Sequence, residues 1–281
     1  MATKKVKAIY YAFNVKLRSN ERTGAEAYTE LFKELFEKKI VGTPKRGNSM
    51  ILRTQFNTKI DNNTILYGKL ARFTNLDSDE WINIGNLEKS TYELPKGMFP
   101  NLKETDYIFI PEAHRFCVRY KAGTVAMSQV TEYLINALTQ CRKGTEEIEV
   151  YIEQSAETIE QILNSESIKK LDIQISYTNN DIGPEASEFV DEILKDMNAS
   201  KIKMSISPDH NQELSRDNTF LRGSLELAKS NGLVTASVIN ANGEAQKIIT
   251  KEHPESFPVE AENIDNLMMN VVRKFMGIFR V

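Results

Sequence analysis

Residues Met50–Ile60 alternate with a period of two. Met50, Leu52, Phe56 and Ile60 point one way, and Arg53, Gln55, Asn57 and Lys59 point the other. A helix would scatter these side chains around its surface, so the spacing commits the stretch to a strand. Asp61-Asn62-Asn63 follows as a turn signal, with Thr64–Phe73 as the expected hairpin partner. The same alternation at Lys7–Leu17 puts Ile9, Tyr11, Phe13, Val15 and Leu17 on one face. Tyr107–Ile110 and Arg115–Lys121 read as another hairpin around Pro111-Glu112-Ala113-His114.

Helical spacing appears between these strands. Ala25–Ile40 carries Tyr28, Leu31, Phe32, Leu35 and Ile40 on one stripe, and Gly123–Cys141 carries Met127, Val130, Leu134, Leu138 and Cys141. Arg142-Lys143-Gly144-Thr145 closes the second helix with basic residues and a glycine, and the element order changes there. Strands are then expected at Glu147–Glu153, Leu171–Tyr177 and Lys201–Ser207. Helices are expected at Ala156–Leu163, Glu185–Met197 and Phe220–Ser230. A hairpin of Leu233–Asn240 and Ala245–Thr250 turns at Asn242-Gly243, and Glu262–Phe279 is a closing helix. The expected fold is α+β in two packed domains. Residues 1–145 form a basic α+β domain with an antiparallel-rich mixed sheet, and residues 146–281 an acidic domain with an α/β-type helix-covered sheet.

Composition excludes several classes. Apolar residues are 41% and charged residues 27%, enough for a packed core and unlike a disordered chain. No apolar run reaches the ~18 residues of a membrane-spanning helix. The basic start reaches Asn14 and Lys16 without a small-residue cleavage signal, so no secretory leader is expected. Cys117 and Cys141 make neither a disulfide framework nor a zinc ribbon, and the three histidines lie far apart. A reduced cytoplasmic protein without cofactor or metal is the expectation.

Net charge is −3, but the halves differ. Residues 1–145 hold 23 Lys and Arg against 15 Asp and Glu, a net of +8; residues 146–281 hold 13 against 24, a net of −11. Such asymmetry points to an electrostatic partner for the basic half. The alternative is that the halves attract each other, or that opposite halves of two subunits pair. Candidate phosphate contacts are Lys16, Arg18 and Arg22 after the first strand and Lys45 and Arg46 on a glycine-flanked loop. Arg53, Lys59, Lys69 and Arg72 lie in the hairpin, and Arg115, Arg119 and Lys121 on one strand face. Solvated strand faces are also rich in Lys and Arg, which is the competing reading of the same residues.

Catalytic signatures are weak. His114 lies near Glu112 and Arg115, but no third group completes an acid–base set. Asp172, Asp181 and Asp209-His210 fit no two-metal nuclease spacing. There is no GxxxxGK[ST], GxGxxG or GxSxG. Cys117 between Arg115 and Arg119 lacks a histidine partner, and Trp81 stands alone among acidic neighbours. No residue is assigned a catalytic role.

Three stretches carry a resemblance: Ala8–Lys16 with its Ala-Phe-Asn step, Tyr67-Gly68-Lys69-Leu70-Ala71-Arg72-Phe73, and Asp79-Glu80-Trp81-Ile82-Asn83. In these the chain resembles an uncharacterised bacterial family linked to phage defence. In length and element order it is also similar to the phage lambda exclusion protein RexA, most clearly from Val234 through the final helix with Glu262, Met268, Met269 and Lys274. The resemblance implies a two-domain, helix-covered antiviral defence or phage-exclusion protein that binds DNA and self-associates; no catalytic residue carries over. The acidic second half departs from it and leaves DNA contact to the first.

The expectation is therefore a non-enzymatic nucleic-acid-binding protein, with double-stranded DNA favoured. The acidic domain would serve a homodimer or dock a partner defence protein. A metal-dependent nuclease effector and a protein–protein adaptor are the alternatives.

Overall fold

The structure is a computed structural model that describes residues 5–43, 47–76, 80–91, 95–176, 192–194, 196, 197, 199–210 and 212–279. In chain order the elements are β1 (Val6–Arg18), α1 (Gly24–Glu37), β2 (Asn48–Ile60), β3 (Asn63–Thr74), β4 (Glu80–Asn83), β5 (Glu88–Thr91), β6 (Lys103–Ile110) and β7 (Arg115–Arg119). These are followed by α2 (Met127–Thr139), β8 (Glu147–Ile152), α3 (Ala156–Leu163), β9 (Ser167–Ser176), β10 (Lys201–Ile206), α4 (Thr219–Asn231), β11 (Gly232–Ile239), β12 (Ala245–Ile249), β13 (Phe257–Ala261) and α5 (Ile264–Ile278). The fold is mixed α+β, as the alternating and helical spacings predict. Most of the expected helix Glu185–Met197, and with it Asp181, lies outside the described residues.

The chain divides into two compact units. Unit one comprises Met1–Lys16, Glu112–Cys117 and Glu149–Val281; unit two comprises Leu17–Pro111 and Val118–Ile148.

In unit one, β1 lies between β13 and β7, and β8 also pairs with it. The β1–β13 pairing is antiparallel from Val6 opposite Ala261 to Tyr10 opposite Phe257. Beyond Ile9, as far as Lys16, this strand is buried on both faces. Tyr10, Ala12, Phe13, Asn14, Val15 and Lys16 are all buried, whereas Ile9 is exposed. The single apolar face read from Ile9, Tyr11, Phe13, Val15 and Leu17 is thus corrected: the opposite face is buried as well. Helix α5 lies against β13 through Phe257 and Phe275, whose ring centroids are 4.9 Å apart. The second sheet of this unit, β10-β9-β11-β12, is antiparallel throughout. Its core joins Leu171, Ile173, Val234 and Ala236 to Ile159 and Ile162 of α3 and Leu225 and Ala228 of α4. Asn218 and Asn263 cap α4 and α5 by accepting from Leu221 N–H and Asn266 N–H.

In unit two, the end of β7 is followed by β6, β3 and β2, and β4 and β5 form a separate two-stranded ribbon. Helix α1 buries Ala27 with Tyr28, Leu31, Phe32 and Leu35 of the expected stripe, but it ends at Glu37, and Ile40 lies past it and half-buried. Phe32 stacks on Phe109 of β6 with ring centroids 3.8 Å apart. Asp61 and Asn62 both take positive φ (49° and 69°), a backbone suited to a two-residue hairpin turn and tolerated by these residue types.

A β-bulge sets which way β2 presents its side chains. Leu52 opposes Leu70, but Thr54 opposes Lys69, so Arg53 is the extra residue. Three side-chain contacts hold it. Tyr133 Oη accepts from Leu52 N–H (3.0 Å), Tyr107 Oη donates to the Thr54 carbonyl (3.1 Å), and Thr54 Oγ1 accepts from Lys69 N–H (3.0 Å). A Cβ on Gly68, paired with Gln55 just past the bulge, would lie 1.9 Å from the Thr54 carbonyl oxygen, so this approach of the strands requires glycine. Past the bulge the alternation is inverted. Met50 and Leu52 are buried, but Phe56 is 56% exposed. The expectation that Phe56 and Ile60 share the core face of Met50 is corrected by this one inserted residue.

Candidate nucleic-acid interface

The inversion places Thr54, Phe56, Tyr67, Lys69 and Asp106 on one face of the unit-two sheet, because directly opposed residues project to the same side. The Phe56 and Tyr67 rings are 5.6 Å apart and tilted by 38°. Next to them, three cations converge on Asp106. Lys69 pairs with its Oδ1, while Arg119 and Lys121 reach Oδ2 at 3.3 and 3.0 Å. Arg53, turned out at the bulge, pairs with Glu104 on the same face. These six charged side chains carry four positive and two negative charges. None of the four cations is fully buried: Arg119 is the least exposed, and Arg53 the most.

Burial pushes the Asp106 carboxyl up, but hydrogen bonds from Lys69 and Lys121 outweigh it and hold the pKa below the ordinary value. Asp106 is therefore ionised at neutral pH and gathers the three cations side by side.

The remaining predicted residues are elsewhere. Arg22 forms a two-pronged pair with Glu146, Nε to Oε1 at 2.7 Å and Nη2 to Oε2 at 2.8 Å. That guanidinium, with a further hydrogen bond from Lys143 N–H, holds the Glu146 pKa down to about 2. Arg18 is exposed and pairs with Glu147 at 3.7 Å. Lys59 and Arg72 oppose Thr64 and Met50, on the sheet face that also carries Leu70. The bulge has thus separated Lys59 from Arg53, which the sequence placed together. Lys45 and Arg46 lie outside the described residues.

Lys16 and Arg115 belong to the interior of unit one. Lys16 Nζ donates to Ser176 Oγ (2.8 Å) and lies over the Tyr151 ring. Arg115 is 1% exposed. Its Nε is 2.8 Å from Glu153 Oε1, its Nη1 donates to Asn14 Oδ1 and the Ala113 carbonyl at 2.9 Å each, and its guanidinium covers the Phe279 ring at 4.2 Å. Neither side chain meets solvent, so the candidate surface narrows to Arg53, Lys69, Arg119 and Lys121. The shared strand face of Arg115, Arg119 and Lys121 is real as a periodicity, but it begins in a core and ends at a surface.

Cys117 is buried, and that burial pushes its thiol pKa well above the ordinary value. His114 is also buried, at a φ of 53°, and its carbonyl accepts Val15 N–H at 2.9 Å. Among the described residues no three of His, Cys, Asp and Glu are grouped to hold a metal ion. Among the same residues no helix is long and apolar enough to cross a membrane. Sequence reasoning missed Phe56, Tyr67 and Asp106. The available signal was Gly68, a residue out of place inside a strand and often the mark of a bulge.

Partitioned by compact unit, the charge is more even than by halves. Unit two holds 18 Lys and Arg against 16 Asp and Glu, and unit one 18 against 23, for nets of +2 and −5. The basic N-terminal strand and Arg115 fall in unit one, while Glu146 and Glu147 fall in unit two.

Fold and site together define a mixed α+β protein with partly exposed cations and an exposed aromatic ring on one sheet face. Residues 6–276 match the family described as domain of unknown function DUF4747, and the chain belongs to that family. Comparison with curated proteins finds no match.

Proposed function

We propose that this protein binds nucleic acid without acting on it, contacting phosphates through Arg53, Lys69, Arg119 and Lys121. The observation that carries the reading is the convergence of three cations on one partly buried carboxylate. It gathers positive charge at one partly exposed place, where a phosphate backbone can be neutralised. The resemblance in Ala8–Lys16 and Tyr67–Phe73 supports a setting in bacterial phage defence or exclusion. The acidic excess of unit one supports its use for self-association or for docking a partner protein.

The test is binding of the nuclease-treated protein to labelled DNA and RNA over a salt series, beside the variant Arg119→Gln/Lys121→Gln. Each lost phosphate contact reduces the slope of log K against log salt by about 0.7–0.9. The double variant is expected to bind more weakly and with a slope lower by about 1.5. An unchanged slope in a folded variant rejects these residues as the contact surface. Absence of binding by the wild type at low salt rejects the function.

A further inference from the structure

The cationic cluster accounts for phosphates but not for the aromatic pair beside it. Phe56 is 56% exposed in the middle of β2, past its bulge, and not at a loop tip. The bulge that turns it outward is fixed by contacts from Tyr107, Tyr133 and Thr54, and by a glycine that nothing larger can replace. The ring is therefore held in place by buried structure. Tyr67 stands beside it, half-buried, with the buried Ile108 opposite in β6. One step along β3, ~7 Å away for same-face neighbours, is Lys69.

We infer that this face takes single-stranded nucleic acid, stacking one base on Phe56 while Lys69, Arg119 and Lys121 hold neighbouring phosphates. The inference rests on the phosphate-contact reading above and adds to it the form of the polymer. A phenyl ring has no hydrogen-bonding group, so it selects a base by its π-face and not by its edge, and every base has one. In a duplex those faces are occupied by neighbouring bases; in a single strand they can be splayed onto an aromatic platform. The charge complements the phosphates, and the ring complements what a duplex hides. Single strands, and not the double-stranded DNA expected from sequence, are the polymer this geometry fits.

The experiment is fluorescence anisotropy with short labelled oligothymidylate, oligoadenylate, oligouridylate and a hairpin duplex. It uses the full chain and three variants: Phe56→Ala, Phe56→Leu and Arg119→Gln/Lys121→Gln. Phe56→Ala is expected to weaken single-strand binding about 5- to 50-fold with an unchanged salt slope, since stacking and phosphate contacts are separate contributions. Phe56→Leu, which keeps apolar bulk without the ring, is expected to lose most of the same affinity. Duplex binding, weaker from the start, is expected to stay the same in both. Urea midpoints of the two Phe56 variants should fall only slightly below the wild type, since the ring is more than half exposed and loses one cross-strand contact with Tyr67. Equal single-strand affinity in wild type and Phe56→Ala overturns the stacking inference while leaving the phosphate reading intact, as does an equal loss on duplex. Failure of the wild type to bind any of the four polymers overturns both. Failure limited to single strands overturns the inference alone.

Discussion

Replacing Arg115 by methionine separates a structural cation from a functional one. The guanidinium is 1% exposed and pairs with Glu153, itself 2% exposed. Methionine keeps much of the apolar stem but abandons the Glu153 charge, two hydrogen bonds and the contact with Phe279. Removing one partner of a buried ion pair costs about 3–5 kcal/mol, chiefly because the other charge stays buried. Against a total stability of about 5–15 kcal/mol this is a large share. At a urea m-value of about 2–3 kcal/mol/M, a loss of about 4 kcal/mol lowers the midpoint by about 1.5–2 M. The double variant Arg115→Met/Glu153→Met removes both charges and is expected to regain most of that loss. Arg119→Gln, at a partly exposed pair, is expected to shift stability by less than about 1 kcal/mol. The assay is urea unfolding followed by circular dichroism, with oligonucleotide binding measured on each variant. If Arg115→Met keeps wild-type stability, or folds normally and loses only nucleic-acid binding, the assignment of Arg115 to the core is refuted.

Asp106→Asn removes the carboxylate that Lys69, Arg119 and Lys121 share. Because the face gains one net positive charge, the variant is expected to tighten nucleic-acid binding and steepen its salt dependence, measured by anisotropy; unchanged binding in a folded variant contradicts the placement of these cations at the contact surface. Glu146 titrates at about 2 in the folded protein, held down by Arg22, against about 4.3 in an unfolded chain. A depressed carboxylate stabilises the fold above the unfolded value and loses that effect as pH falls from about 4.3 through about 2. Glu146→Gln should therefore be less stable than wild type at pH 7 by about 2 kcal/mol, with the gap closing across that acid window in urea unfolding.

Element type was legible in the sequence wherever a periodicity ran long enough. The hairpin Met50–Phe73, the stripes of α1 and α2, and the turn at Asp61-Asn62 follow from spacing and residue chemistry alone. Three features were not. Lys16 reads as a solvated residue beside a strand end, but it is buried with its ammonium on Ser176 and over the Tyr151 ring, both far along the chain. β13 itself is five residues long and contains Pro258, too short and too broken for alternation to declare it. Phe56 reads as core because periodicity assumes an uninterrupted ladder. One inserted residue, Arg53, reverses every side chain that follows. In each case a partner distant in sequence decides, and local pattern cannot see it.

The same reasoning changes what the charge asymmetry means. A basic half of the chain is not a basic surface: Lys16 and Arg115 spend their charge inside unit one, and Arg22 spends its charge on Glu146. Counted by unit, the contrast of +8 and −11 falls to +2 and −5. Exposed charges are screened within about 8 Å at physiological salt, so a phosphate responds to a cluster and not to a sum over a hundred residues. What distinguishes the face of Arg53, Lys69, Arg119 and Lys121 is local. It has four cations against two carboxylates, with an exposed ring on the same side of the sheet. A function that depended on the bulk imbalance would tolerate loss of any one cation equally. One that depends on this face singles out Lys69, Arg119 and Lys121 and is indifferent to Arg18, although Arg18 is the more exposed.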